Sequence, residues 1–322
     1  MQIEKAYTGG FDLYRIPGLV VTGAGTLLGY YECRRSVSDW ADIDLRVIRS
    51  TDEGEHWETV LQLPSGGNTL NNPMMIVDGE TIHFLYQCNY KQLFCCQSKD
   101  DGKTFSQPQE ITQVFDNCGF FYNAVAIGPG HGIVHKGKLL LPVWYAYNQE
   151  DALAHWPSRI LTIYSEDGIR WSLGEQIGDD RLVDASECAL AVTAEDQVLI
   201  SIRNANDLRQ RAFAVSDSGW GNWQDLHFKE NMPDPICMGS MCQENGTIFH
   251  VNCADAKARE HLTVKASRDN FRTWESICLS ERAGYADIAI KDGTLYVLYE
   301  GYCTDGLFFK KLHYSEETGF TA

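Results

Sequence analysis

Arginines, carboxylates and a tyrosine stand at the ends of strand-like segments, where side chains from distant parts of a chain can meet. Arg15 precedes an apolar stretch in YRIP, Arg203 follows one in ISIRNAN, and Arg259 precedes one in AKAREHL. Planar guanidinium groups bind a carboxylate through paired hydrogen bonds, so several around one pocket would recognise an anionic ligand. Carboxylates beside a tyrosine can supply the acid, base and nucleophile of a group-transfer reaction. Taken singly, each residue also has an ordinary explanation as a charged strand end or a core tyrosine.

The composition disfavours several kinds of partner. The 322 residues carry a formal charge of −17, which argues against a nucleic-acid backbone or an anionic membrane, because such partners usually meet clustered lysine and arginine. No apolar run approaches the ~18 residues that span a membrane, and the start MQIEKAYTGG lacks the regions of a signal peptide. We therefore expect a cytoplasmic protein, or a secreted one if a leader was removed, and we make no prediction of its oligomeric state.

The eleven cysteines form no recognisable framework. Their number is odd, they are scattered along the chain, and no C-x-x-C pair or zinc-type spacing occurs among them. We predict free thiols in a reducing compartment, with no structural disulfide and no metal site.

An apolar strand, a tight polar turn and a second apolar strand recur six times along the chain. The turns lie in VVTGAGTLLGYY, MIVDGETIHFLY, IVHKGKLLLPVW, LAVTAEDQVLISI, MCQENGTIFHVN and IAIKDGTLYVLY. The pairs Asp78-Gly79, Asn245-Gly246 and Asp292-Gly293 accept the positive φ angles that hairpin turns need. A repeat of roughly 50 residues is typical of propeller blades. We predict an all-β, six-bladed β-propeller that forms a single domain over residues 1–322.

A second repeat follows the third strand of five units, where Ser, Asp, Gly and an aromatic residue recur at fixed offsets. The five segments are STDEGEHW, SKDDGKTF, SEDGIRW, SDSGWGNW and SRDNFRTW. They resemble the Asp boxes, or BNR repeats, of sialidases, in which polar side chains hold a turn and the aromatic residue plugs the blade. Five boxes against six hairpins predict an atypical last blade, in which LFFKKLHYS pairs with a strand near EKAYTGG.

The segment Tyr14–Pro17 resembles the Arg-Ile-Pro signature of sialidases, notably glycoside hydrolase family 33, and the resemblance continues over almost the whole chain. Counting back from the first box selects Asp39 over Asp42 and Asp44 as the matching acid. The resemblance implies the catalytic residues Asp39, Glu187 and Tyr285 and the substrate-binding residues Arg15, Arg34, Arg203, Arg259 and Glu300.

What this family resemblance implies is a retaining exo-α-sialidase that needs no cofactor and binds a sialylated glycan. Arg15, Arg203 and Arg259 would bind the substrate carboxylate, with Glu300 orienting Arg15. Tyr285 would attack the anomeric carbon while Glu187 takes its proton, and Asp39 would protonate the leaving oxygen. A neutral tyrosine suits this substrate because a carboxylate nucleophile would be repelled by the substrate's own carboxylate.

Departures from the family pattern concern the far side of the pocket. Asn71 and Asn72 stand where the family often has an aspartate or an apolar residue, and we expect Asn72 to contact the sugar. We expect His131, in GPGHGI, to lie on a loop over the pocket, and Phe120–Tyr122 to supply an apolar wall for the N-acyl group.

Three alternative functions stay open at this point. The chain could act on a related ulosonic acid such as the deaminated sugar, could release an anhydro sugar as an intramolecular trans-sialidase, or could be a carbohydrate-binding propeller without catalysis. The last of these has no need of Asp39, Glu187 and Tyr285 together, so their joint presence favours an enzyme.

Overall fold

The computed structural model describes residues 1–302 and 305–321, and six small antiparallel sheets account for nearly all of its regular structure. Blade 1 comprises Leu13–Val21, Leu27–Arg34, Ile43–Ser50 and Glu58–Leu63. Blade 2 comprises Leu70–Asp78, Thr81–Cys88, Gln92–Ser98 and Gln109–Glu110, with Gly130–His131 added in parallel to its first strand. Blade 3 comprises Ala124–Ile127, Ile133–His135, Lys138–Ala146, Ser158–Ser165 and Trp171–Leu173.

The remaining blades repeat this arrangement. Blade 4 comprises Cys188–Val192, Val198–Ile202, Gln210–Ser216 and Gln224–Pro233. Blade 5 comprises Ser240–Glu244, Thr247–Cys253, Glu260–Ser267 and Glu275–Arg282. Blade 6 comprises Ala286–Lys291, Thr294–Glu300, Leu307–Ser315, Gly319–Thr321 and the chain's first strand, Gln2–Glu4. A short 3-10 helix, Thr112–Phe115, follows blade 2.

The six sheets stand in a ring, since the inner strands of successive blades contact one another and blade 6 contacts blade 1. Each sheet is covered on both faces by its neighbours, so its middle strands are buried; all eight residues of Leu27–Arg34 are buried, including the charged Glu32 and Arg34. The cores lie between blades, as where Leu28 and Tyr30 of blade 1 pack in one cluster with Phe84 of blade 2. The prediction of a six-bladed β-propeller is confirmed.

The last blade is completed by the beginning of the chain. Gln2–Glu4 pairs antiparallel with Leu307–Ser315, in a register that places Gln2 opposite Phe308 and Glu4 opposite Leu307. The borrowed strand is therefore confirmed, although it lies slightly ahead of the predicted EKAYTGG segment.

Two of the three predicted glycine turns have the expected centres. Asn245-Gly246 and Asp292-Gly293 have positive φ at both residues. In blade 2, however, Asp78 pairs with Thr81, so the turn is Gly79-Glu80, one residue later than predicted. Glycine at the first central position carries the positive φ that this hairpin requires, and the aspartate ends the strand instead.

The Asp boxes hold their turns through side-chain hydrogen bonds. In the first box, the Gly54 amide donates to Ser50 Oγ at 3.0 Å, and the His56 amide donates to Asp52 Oδ1 at 2.9 Å. In the fourth box Ser218 replaces the aspartate beside Ser216. A Cβ atom on Gly54 would lie 2.3 Å from the Phe309 ring. This box turn of blade 1 thus presses closely on blade 6.

Ten cysteines lie among the described residues, and all ten are free thiols. Cys303 lies outside the described residues. Residues 1–302 and 305–321 include no helix long and apolar enough to cross a membrane.

Candidate active site

One face of the ring collects residues from five of the six blades. Because successive strands are antiparallel, the first strand of a blade begins where its second strand ends and its third begins. The residues at this face are Arg15, Arg34 and Asp39 of blade 1, Asn72 of blade 2, Glu187 and Arg203 of blade 4, Arg259 of blade 5, and Tyr285 and Glu300 of blade 6. Residues far apart in sequence therefore converge through the repeat itself.

Tyr285, Glu187 and Arg203 form a hydrogen-bonded triad. The Tyr285 hydroxyl donates to Glu187 Oε1 at 2.5 Å, and Arg203 Nη1 donates to the Tyr285 oxygen at 2.7 Å while it also pairs with Glu187 Oε2. Burial raises the pKa of Tyr285 far above its usual value, and the Glu187 charge acts in the same direction, whereas Arg203 opposes both. The phenol is therefore neutral near pH 7 and has an acceptor in place for its proton.

Glu300 binds Arg15 and also holds the backbone around it. Arg15 Nε lies 3.2 Å from Glu300 Oε1, and the amides of Ile16 and Tyr285 donate to the same carboxylate at 2.9 and 3.3 Å. Ile16 has a φ of +55°, which is an unfavourable conformation for a β-branched residue. The Glu300 hydrogen bond to its amide stabilises this conformation and fixes Arg15 beside Tyr285.

The three arginines of blades 1, 4 and 5 surround the Tyr285 side chain. The guanidinium carbons of Arg15 and Arg259 lie 5.3 and 5.1 Å from the centre of its ring, and Arg203 binds its hydroxyl. Arg203 Nε is buried and has no hydrogen-bond partner among the described residues. A cavity of about 430 Å³ adjoins the cluster at Arg15, Arg259 and Glu300. The arrangement can bind an anionic group next to a protonated phenol.

Asp39 lies on the loop after the second strand of blade 1 and is bound by Arg34. Arg34 Nη1 lies 2.7 Å from Asp39 Oδ1, and Arg34 Nε donates to Glu32 Oε2 at 2.7 Å. Burial alone would raise the pKa of Asp39, but the ion pair with Arg34 outweighs it, so this pKa lies below its usual value. The Asp39 side chain is 48% exposed and that of Arg34 only 1%. Arg34 is thus placed to hold Asp39 and Glu32 from within the blade.

Asn72 lies in the wall next to this ion pair. Its amide donates to Glu32 Oε1 and its side-chain nitrogen donates to the Ile127 carbonyl, both at 2.9 Å. The residue is buried, and its side-chain oxygen accepts a hydrogen bond from Asn71. Its polar atoms are therefore already bonded within the protein.

The prediction that His131 lies on a loop over the pocket is wrong. His131 belongs to the added strand of blade 2, where it pairs with Met75, and its Nδ1 lies 2.9 Å from Asp287 Oδ1. Asp287 also accepts from the Leu19 amide, which is well along the first strand of blade 1 from Arg15. The glycine-rich segment forms a strand because it bonds the free edge of the inner strand of blade 2, and the buried carboxylate binds the imidazole.

The expected apolar wall of Phe120–Tyr122 is also elsewhere. Phe120 stacks on Tyr145 at 4.1 Å and, with Phe121, lines a separate pocket of about 230 Å³. The aromatic residues near the site are instead Trp40, Tyr90, Trp144 and His155, which sequence reasoning missed. The signal was available for His155, because its loop follows the strand Lys138–Ala146 of blade 3 as the Asp39 loop follows the strand Leu27–Arg34 of blade 1.

No group of three or more His, Cys, Asp or Glu side chains within the described part of the chain is arranged to hold a metal ion. The donors at the site are instead arginines facing carboxylates and a phenol. This chemistry suits an organic anion as ligand.

Comparison with known proteins gives matches along most of the chain. The BNR repeat-like domain family matches residues 65–297. A sialidase of Bacteroides fragilis is 27% identical over 337 residues, which cover 89% of this chain and 60% of that protein. The chain thus spans about three fifths of that relative's length.

Solved structures share the fold at lower identity. The Hadza microbial sialidase Hz136 superposes with a TM-score of 0.82 at 24% identity, covering 96% of this chain and 67% of the other. The leech intramolecular trans-sialidase, complexed with 2,7-anhydro-Neu5Ac, gives a TM-score of 0.78 at 14% identity, covering 97% and 70%. These likenesses establish the propeller fold of the chain.

Proposed function

We propose that this chain, which belongs to the BNR repeat-like domain family, is a glycoside hydrolase that releases terminal sialic acid from glycans as a retaining exo-α-sialidase. The observation that carries the proposal is the Tyr285 hydroxyl bonded to Glu187 within a cluster of three arginines. The names of the relatives, which include a sialidase of Bacteroides fragilis, support the substrate class.

The substrate carboxylate binds Arg15, Arg203 and Arg259. A guanidinium offers paired donors to a carboxylate, and the free Nε of Arg203 adds to the positive field there. Glu300 and Glu187 offset the mutual repulsion of these cations, since each is ion-paired with one of them. Binding through the carboxylate places the adjacent anomeric carbon beside Tyr285.

Tyr285 attacks the anomeric carbon as Glu187 accepts its proton. The 2.5 Å hydrogen bond between them is already in the direction of transfer. As the phenol loses its proton, the neighbouring Arg203 and Arg259 stabilise the developing phenolate charge. The product of this step is a tyrosyl-linked sugar with inverted configuration.

Asp39 protonates the departing glycosidic oxygen and then takes a proton from the water molecule that cleaves the tyrosyl bond, while Glu187 returns its proton to the departing Tyr285 oxygen. The second inversion restores the original configuration, so the reaction proceeds with retention. The exposed Asp39 side chain, on a loop at the mouth of the site, suits a group that must reach the leaving group.

A trapping experiment tests this assignment. In a suitable analogue, fluorine at carbon 3 slows both steps, and a good leaving group keeps the first step fast enough to occur. The covalent intermediate should therefore accumulate on the peptide that carries Tyr285. Tyr285→Phe should prevent labelling. Label on Glu187 or Asp39 would contradict the tyrosine mechanism, and failure of the wild-type enzyme to cleave any sialic acid aryl glycoside would contradict the function itself.

Product analysis separates hydrolysis from internal transfer. We expect free sialic acid from a natural sialoside, because Asp39 is placed to activate water. Release of an anhydro sugar in its place would assign intramolecular trans-sialidase activity to the chain.

A further inference from the structure

His155 lies on the loop of blade 3 between the strands Lys138–Ala146 and Ser158–Ser165. Asn123 organises this loop, because its side-chain nitrogen donates to the carbonyls of Asp151 and Ala154 and its oxygen accepts from the Asn148 amide. Trp40, next to Asp39, donates through Nε1 to the Leu153 carbonyl at 3.1 Å. The blade 3 loop is therefore joined to the loop that carries the proposed acid.

His155 is enclosed by three aromatic rings. The centres of the Tyr90, Trp144 and Trp40 rings lie 4.6, 5.2 and 5.7 Å from the centre of its imidazole. Such contact on several sides fixes the orientation of the imidazole. The side chain is therefore held rigidly, as a group that discriminates between ligands must be.

One nitrogen of this imidazole, His155 Nε2, is both buried and without a hydrogen-bond partner within residues 1–302 and 305–321. The ring of His155 packs on Trp40, which follows Asp39 in the chain, so the imidazole lies next to the loop of the proposed acid. Burial lowers the pKa of His155, so the ring is neutral near pH 7 and can donate or accept one hydrogen bond. A buried polar atom without a partner costs free energy, which a ligand group would recover.

The position of this nitrogen matches one part of the proposed substrate. In the six-membered ring of a 2-keto sugar acid, carbon 5 lies directly across from carbon 2, which carries the carboxylate. In a ring of six blades, blade 3 stands opposite blade 6, which carries Tyr285. With the carboxylate on the arginines, the carbon 5 substituent points toward blades 2 and 3. Asn72 has its polar atoms bonded already. His155 Nε2 and Trp144 Nε1 both lack a partner in the described part of the chain, and of these two only the imidazole nitrogen can accept as well as donate a hydrogen bond.

We propose that His155 is a specificity-determining residue whose Nε2 atom hydrogen-bonds the substituent on carbon 5 of the sugar. This role rests on the proposed function, because it uses the substrate orientation set by the arginines. The aromatic wall accepts the methyl group of an N-acetyl substituent, whereas a bare hydroxyl depends on His155 for its polar contact.

The test compares two substrates on the same enzyme sample, namely aryl glycosides of N-acetylneuraminic acid and of its 5-hydroxy counterpart. We expect His155→Phe, which keeps an aromatic ring but removes both nitrogens, to raise the ratio of kcat/KM values in favour of the N-acetyl substrate about tenfold. His155→Gln, which restores a hydrogen-bonding group, should bring the ratio back to within about threefold of the wild type. His227→Gln, on the outer strand of blade 4, is the matched control and should leave it unchanged.

The ratio does not depend on the fraction of folded enzyme, so a destabilised variant still gives a result. A ratio unchanged in His155→Phe, or shifted equally by Phe and Gln, would overturn the role of Nε2 while leaving the proposed function standing. A wild-type enzyme inactive on both substrates would overturn the proposed function and this inference with it.

Discussion

Asp39 and Arg34 form an ion pair that sets the protonation of the proposed acid. General acid catalysis requires a protonated carboxyl, yet the pair holds the pKa of Asp39 below its usual value. The kcat/KM value should therefore fall as pH rises through this low pKa, which makes the enzyme most active under acidic conditions. Weakening the pair should extend activity to higher pH.

The first prediction follows for Arg34→Lys. Lysine keeps the positive charge near Glu32 but has one nitrogen where arginine uses several, so it cannot keep both carboxylate contacts equally well. The pKa of Asp39 should rise, and the alkaline limb of the kcat/KM profile should move up by about one pH unit. The control is Arg35→Lys, which changes a neighbouring arginine bound to Asp42 and Asp44. Identical limbs in the two variants would contradict the role of Arg34.

Replacement of the acid itself gives the second prediction. Asp39→Asn cannot protonate a leaving group, and a phenol leaves without much help whereas a sugar does not. We expect a loss of kcat of at least about 100-fold on a natural sialoside and a much smaller loss on an aryl glycoside. Asp42→Asn, on the same loop, serves as control. Equal losses on both substrates would assign Asp39 a structural role.

At this scale the sequence identified the residues that match the sialidase pattern and missed those that lie outside it. Arg15, Tyr285 and Glu300 were identified by resemblance to sialidases, and the structure brings them together at the same face of the ring. His155 owes its surroundings to Trp40, a residue of blade 1 more than a hundred positions earlier. No local pattern encodes a contact of that kind. For His131, the glycine-rich sequence predicted a loop where the structure has a strand.

Among the turns, the Asp boxes do more than reverse the chain, since their glycines also contact the preceding blade. Gly54 has a φ of +88° and lies against Phe309 of blade 6, while Gly67 has a φ of +89° and open space around it. Alanine at either site meets the same backbone penalty of about 1 kcal/mol. Only at Gly54 does the added methyl group also collide with a ring.

We therefore predict that Gly54→Ala lowers the free energy of unfolding by about 1 to 3 kcal/mol more than Gly67→Ala does. Urea denaturation of the two variants measures the difference. Equal losses would show that the box glycine is selected for its backbone angle alone.

The hairpin turns show where local prediction reaches its limit. Asn245-Gly246 was placed correctly because both residues tolerate positive φ. At Asp78-Gly79 the same type of pair is shifted by one residue, since strand pairing continues to Asp78 and Thr81. Cross-strand pairing, which depends on the whole sheet, decides between two turns that the local sequence permits equally.

For the molecule as a whole, a buried lysine makes stability depend on pH. Lys265 of blade 5 is almost fully buried and donates to Asn252 Oδ1 at 2.6 Å. Burial lowers its pKa to about 7, although Asp234 acts in the opposite direction. The unfolded chain has the ordinary lysine pKa near 10.4, so between these two values it binds a proton that the folded protein does not.

The free energy of unfolding should consequently rise with pH between about 7 and 10, by up to ~1.4 kcal/mol per pH unit from this group. Lys265→Met removes the titrating group and keeps a side chain of similar length. Urea unfolding provides the measurement. From pH 7 to pH 9, the free energy of unfolding of the wild type should rise by roughly 2 to 3 kcal/mol more than that of Lys265→Met. A difference between the two proteins that does not change with pH would refute the shifted pKa.

The ring was the most predictable feature because it repeats. Six hairpins and five boxes each give an independent indication of the same unit, so an error in one, as at Gly79, leaves the architecture unchanged. The side-chain contacts between blades at the site do not repeat from blade to blade. They form only when all six blades are in place.

The pairing of Gln2–Glu4 with Leu307–Ser315 has a consequence for synthesis on the ribosome. The first of these segments is made before any of the blades, and its partner is made only after blades 1 to 5. Until then the nascent chain has an open ring that exposes the apolar face of a blade at each end, and such exposed surfaces promote association between chains. Closure must therefore wait until blades 1 to 5 have been made, and it joins Arg15, which is made early, to Tyr285 and Glu300, which are made late.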